Sequence, residues 1–128
     1  MKKIIYYWLP VIIYIVLIFY FSSLSRIEAI ETIPEFILKD KLLHLIEYSI
    51  LAILLYRALN QYQQFQSTAL ILAIILSTFY GLTDELHQLF VPGRFFSIAD
   101  LFSDFLGSNI ILLRRQFSKI YFKLNLNF

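Results

Sequence analysis

Between Tyr80 and Arg94 the chain sets two adjacent carboxylates (Asp84, Glu85), an imidazole (His87), an amide (Gln88) and a guanidinium (Arg94). Lys41, His44 and Glu47 precede them at three-residue spacing, and Asp100 and Asp104 follow, four apart. Residues three or four apart share a face of a helix, so each group reads as a polar stripe. An imidazole held by a carboxylate can work as a general acid or base, and a guanidinium can hold a phosphate or carboxylate. The candidates for such work are His44, Glu47, Asp84, Glu85, His87, Arg94 and Asp100, with Lys41, Gln88, Arg94 and Asp104 as candidates for holding a substrate.

His44-x-x-Glu47 and Asp84-x-x-His87 also resemble the carboxylate–imidazole pairs of di-metal helical bundles. A divalent metal on His44, Glu47, Asp84 and His87 is therefore a second reading. No serine or threonine stands out as a nucleophile beside a histidine, so hydrolysis would use water. A third reading makes the same groups interhelical glue, polar side chains that fix how helices pack.

These groups sit in an apolar chain. Of 128 residues, 59% are hydrophobic and 16% charged, and mean hydropathy is +0.71. A soluble domain this small has too much surface for its volume to hide so much apolar area. A lipid solvent removes the difficulty. The absence of cysteine excludes disulfides and thiolate metal sites. There is no glycine-rich phosphate loop and no basic face interleaved with aromatics, which argues against nucleotide and nucleic-acid partners.

Four apolar runs must position the stripes. The first, about 4–21, follows Lys2-Lys3 and has no charge. Eighteen helical residues reach about 27 Å, close to the hydrocarbon thickness of a bilayer. It exceeds a signal-peptide core and is expected to stay as an uncleaved span. Further spans are expected at about 42–59, 68–82 and 97–113. Residues 24–41 read as a surface segment, and 114–128 as a basic amphipathic tail lying against lipid head groups. Val91-Pro92-Gly93-Arg94 has the composition of a type II turn. The fold class is thus an all-α membrane protein, a single-domain bundle of four transmembrane helices.

Lysine and arginine in short loops set orientation. Lys2, Lys3, Arg57, Arg114, Arg115, Lys119 and Lys123 fall on one side; Arg26, Lys39, Lys41 and Arg94 fall on the other. The excess puts both termini in the cytoplasm and the polar stripes toward the outer surface. Charged groups at membrane depth each carry a penalty of roughly 2.5–3.5 kcal/mol, so the stripes should face one another. Glu47, Asp84, Glu85, Asp100 and Asp104 against Lys41 and Arg94 leave a formal charge of −3 with both histidines neutral. Protons, a cation or water must offset it.

Taken in order, Phe21-Ser22-Ser23, Asp40-Lys41-x-x-His44-x-x-Glu47-Tyr48, Gly81-x-x-Asp84-Glu85-x-His87-Gln88-x-Phe90-x-Pro92-Gly93-Arg94 and Asp100 followed by Gly107 resemble the VanZ-like family. That family of small bacterial membrane proteins is named for a teicoplanin-resistance protein. The resemblance implies residence in the bacterial cell membrane and a part in envelope chemistry or glycopeptide sensitivity, with a lipid-linked or glycopeptide ligand. It leaves open whether a reaction is catalysed. Alternatives are a metal-dependent hydrolase of lipid-linked envelope substrates and a non-catalytic, partner-binding bundle. Two places depart from the family pattern: Asp104 stands where an asparagine is usual, and Ile111 where a second glycine is common.

Overall fold

The computed structural model describes residues 2–24 and 37–113, and their regular structure is all helical, with no strand among them. Helix α1 is Lys2–Ser22, α2 is Ile37–Leu59, α3 is Ala69–Gln88 and α4 is Ile98–Asn109. A short 3₁₀ turn, Gln63–Phe65, lies between α2 and α3. The expected surface segment and basic tail fall largely or wholly outside the described residues.

Three helices are long and apolar enough to cross a membrane, through Ile4–Ser22, Asp40–Leu59 and Ala69–Gln88. The fourth expected span is a shorter and less apolar helix. Its twelve residues reach about 18 Å at 1.5 Å per residue, and a further helical turn follows at 111–113. Helix α1 runs unbroken through Pro10.

Burial is distributed as in a lipid-facing bundle. Large apolar side chains such as Ile12, Val16, Phe19, Ile71, Ile75, Phe79 and Phe102 are exposed, whereas Glu85, Asp104, Ser77 and Ser108 are fully buried. Water would reject that outer surface; hydrocarbon accepts it, and the polar groups then satisfy one another inside.

The apolar core lies between α1, α2 and α3, around Val11, Ile18, Tyr48, Leu51, Leu55 and Ala73. Two glycines allow the closest approaches. A Cβ on Gly107 would collide with the backbone carbonyl of Leu45, so α4 packs directly on the α2 backbone there. A Cβ on Gly81 would lie 2.7 Å from Asp104 Oδ2. Serines tie the same interfaces: Ser49 Oγ donates to the Gly107 carbonyl at 3.0 Å, Ser77 Oγ to the Tyr48 carbonyl at 3.2 Å, and Ser108 Oγ to Ser77 Oγ at 2.9 Å.

At the opposite end from the polar stripes, the Arg57 guanidinium sits 4.6 Å from the Tyr6 ring centre. Trp8 Nε1 donates to Tyr62 Oη at 3.1 Å. Aromatic and arginine side chains of this kind suit the boundary between hydrocarbon and head groups.

Candidate functional site

Helix α3 runs six residues past its expected end, so Asp84 to Gln88 are helical. Its buried positions are Ala69, Leu70, Ala73, Ser77, Gly81, Asp84, Glu85 and Gln88. This is one stripe at three- and four-residue steps, small and apolar at first and acidic at its end. His87 lies off the stripe. Its ring packs on Phe19 at 4.5 Å between centres, and its Nε2 lies 3.0 Å from Ser23 Oγ, both contacts from the α1 side.

The turn after α3 closes as the sequence predicts. Arg94 N donates to the Val91 carbonyl at 3.1 Å, and Gly93 has φ 77°, the left-handed value a type II turn needs at its third position. The chain then re-enters through Ser97, whose Oγ accepts from Asp100 N at 3.2 Å and caps α4. Glu85 Oε2 accepts from Ser97 N at 2.8 Å. One carboxylate of α3 thereby fixes where α4 starts.

Helices α2 and α4 pair residue by residue. Lys41 Nζ lies 3.0 Å from Asp100 Oδ1, and His44 Nδ1 lies 2.9 Å from Asp104 Oδ1. Ser49 and Gly107 continue the series. Numbers rise together along it, so the two helices run in the same direction. The Lys41–Asp100 pair is at the rim, with a third of the lysine side chain exposed; Asp104 is wholly buried.

Two polar zones result, and His44 belongs to both. The first is an open cavity of about 430 Å³ lined by Tyr14, Ile18, Phe21, Ser22 and Leu24 on one side and Asp40, Leu43, His44, Ile46, Glu47, Asp84, Gln88 and Arg94 on the others. Within it Gln88 Nε2 donates to Asp84 Oδ2 at 3.2 Å, and Arg94 Nε donates to the Leu24 carbonyl at 3.3 Å. The Ser22 hydroxyl lies near the Asp84 carboxylate, yet Ser22 Oγ and Asp84 Oδ1 complete no hydrogen bond. The second zone is shared among α2, α3 and α4. His44, Glu85 and Asp104, all buried, each offer a ligand-type atom within 4.8 Å of the others. The His44 ring is nearly parallel to Tyr48, at 8° and 6.3 Å.

The candidates are therefore divided. His44, Glu47, Asp84, Gln88 and Arg94 meet at the cavity. Glu85 and Asp104 meet His44 in the second zone, Lys41 and Asp100 form a pair at the rim, and His87 stands apart against α1. Of the four residues proposed as metal ligands, only His44 belongs to the compact ligand group.

Sequence spacing missed the share of α1. Tyr14, Ile18, Phe21 and Ser22 wall the cavity, and Ser23 meets His87. The signal was the pair Ser22-Ser23 at the end of a charge-free run, placed where a bundle interior could use two hydroxyls. Sequence spacing also missed Ser97 as the partner of Glu85; the pattern Ser97-x-x-Asp100 marks Ser97 as the cap of α4 and leaves its N–H partner unread.

A model of the VanZ/LLP1 family matches residues 7–114. The chain belongs to that family. The VanZ/LLP1 match takes in both polar zones, the Val91–Arg94 turn, the second and third long apolar helices and the first from residue 7 onward. No curated protein and no solved structure matches the chain.

Proposed function

We propose that this VanZ/LLP1 protein sits in the bacterial cell membrane with its cavity open to the outer face. There it engages an amphiphilic envelope molecule and changes envelope chemistry or sensitivity to a glycopeptide such as teicoplanin. The cavity itself carries the reading. Its walls pair apolar Ile18, Phe21, Leu43 and Ile46 with Arg94, Asp84, Gln88, His44 and Glu47, the surface an acyl or prenyl chain and a charged head group would require together. Arg94 is suited to an anionic head group.

The orientation rests on the lysine and arginine excess near the termini and Arg57. In this arrangement both termini are cytoplasmic, and α4 with the turn at 111–113 forms a fourth, short crossing. The common direction of α2 and α4 supports it.

Expression in a sensitive Gram-positive host tests the proposal. The expected result is a changed teicoplanin inhibitory concentration, or an altered profile of envelope lipids or peptidoglycan precursors. No change in any of the three overturns it.

A second reading is a membrane-embedded hydrolase of lipid-linked envelope substrates. It is favoured by one observation, the meeting of an imidazole and two carboxylates in a group that shares His44 with the cavity. Purified protein should then release the head group from a lipid-linked substrate, and failure on a panel of such substrates with divalent metal supplied removes this reading.

A further inference from the structure

We propose that His44, Glu85 and Asp104 form a divalent-cation site between α2, α3 and α4, adjoining the amphiphile cavity and sharing His44 with it. The three residues come from three helices, yet their ligand-type atoms fall within 4.8 Å of one another, and all three are buried. Convergence alone would suit ordinary helix packing. The unpaired oxygens point further: Glu85 Oε1 and Asp104 Oδ2 are buried and have no hydrogen-bond partner, on side chains with no exposed surface at all. A buried carboxylate oxygen left unpaired is strongly unfavourable, and here two belong to the same small group.

Among the described residues His44, when protonated, can offset one of the two carboxylates through Asp104 Oδ1, but no cation meets either unpaired oxygen. Lys41 is engaged by Asp100 at the rim, and Arg94 lines the cavity and donates to the Leu24 carbonyl. A buried water could satisfy hydrogen bonds but would leave the charge, and a proton shared between the two carboxyl groups would offset only one of them. A divalent cation offsets two carboxylates and takes up both free oxygens.

The surroundings suit such an ion. Glu85 is oriented by Ser97 N on its other oxygen; hydrogen bonds of this kind fix ligands around metals. Gly81 keeps a methyl group away from Asp104 Oδ2. The 2.9 Å between His44 Nδ1 and Asp104 Oδ1 accommodates a shared proton or a shared cation equally, since two donors about 2.1 Å from one ion are about 3 Å apart at a right angle. One imidazole with carboxylate oxygens is a mixed donor set of the type that takes Mn²⁺ or Zn²⁺ rather than the thiolate-seeking metals. Open coordination positions would be filled by water or by a head group reaching past His44.

Full-length protein in nanodiscs, stripped with chelator and dialysed against Mn²⁺ or Zn²⁺, is expected to retain about one ion per chain. Glu85→Gln, Asp104→Asn and His44→Gln should each weaken retention at least about tenfold. No retained ion in the wild type, or undiminished retention in the folded variants, overturns the site. A readout free of any variant is pulsed EPR on Mn²⁺-loaded wild type, where coupling to one imidazole nitrogen is expected and its absence is contrary. These measurements involve no amphiphile or antibiotic, so their failure is distinguishable from failure of the cavity's proposed role.

Discussion

His44 Nδ1 meets Asp104 Oδ1 at 2.9 Å across the α2–α4 interface, with Asp104 entirely shielded from solvent. The pair joins residues sixty apart in sequence and stands where the open cavity gives way to the buried acidic group. Asp104→Asn keeps an oxygen for the imidazole and should leave the bundle folded, within about 1 kcal/mol of wild type. Asp104→Ala strands His44 and should destabilise the protein by about 2–4 kcal/mol. Thermal unfolding in nanodiscs checks both, and a cycle with His44→Ala should show a coupling of about 1–3 kcal/mol.

The neighbouring Lys41–Asp100 pair is nearly as short, at 3.0 Å, and has a different value. Its lysine is a third exposed, and solvent screening leaves such pairs at about 0–1 kcal/mol. Lys41→Gln should change stability by less than about 1 kcal/mol. Raising salt should narrow the gap between variant and wild type, as read by the same unfolding assay.

Gly107 and Gly81 should respond differently to a methyl group. At Gly107 the obstacle is the Leu45 backbone, which cannot rotate away, so Gly107→Ala should separate α2 from α4 and lower stability by about 1–3 kcal/mol. At Gly81 the obstacle is the tip of the Asp104 side chain, which can turn. Gly81→Ala should therefore disturb the His44–Asp104 geometry more than the fold, visible as lost metal retention in protein of near-normal unfolding temperature.

Glu85 holds the start of α4 through Ser97 N. Glu85→Gln can still accept that bond, whereas Glu85→Ala cannot. Hydrogen exchange at Ser97 and its neighbours should stay slow in the first variant and quicken in the second.

The absence of cysteine lets single cysteines report topology without background. Phe95 is exposed between α3 and α4, and Gln64 is exposed between α2 and α3. A membrane-impermeant thiol reagent should label Phe95→Cys in intact cells and Gln64→Cys only after permeabilisation. The reverse pattern would invert the proposed orientation.

The helical fold was legible because its apolar runs are long and nearly free of charge, and three became helices of membrane-crossing length. The end of α3 was harder to read. Asp84, Glu85 and Gln88 resemble a polar loop in hydropathy, yet they continue the small-residue stripe of Ala73, Ser77 and Gly81. His87 shows where spacing misleads. Three residues from Asp84 it shares a broad face, but only the positions one and four residues on from Asp84 stay on the buried stripe. The partners of Glu85 and His87, Ser97 and Ser23, lie on other elements. No periodicity within one helix reports which neighbour will supply a hydroxyl or an N–H.

The central claim is that the polar cavity acts on a ligand and is more than packing. Asp84 tests it most directly, since it faces the cavity with one oxygen bonded to Gln88 and the other unpaired. Asp84→Asn, expressed beside wild type in a sensitive host, should reach the membrane in equal amount and unfold within a few degrees of it. Its effect on teicoplanin sensitivity or envelope composition should nonetheless be lost. Loss of function together with loss of folded protein, or full function in the variant, would contradict the account.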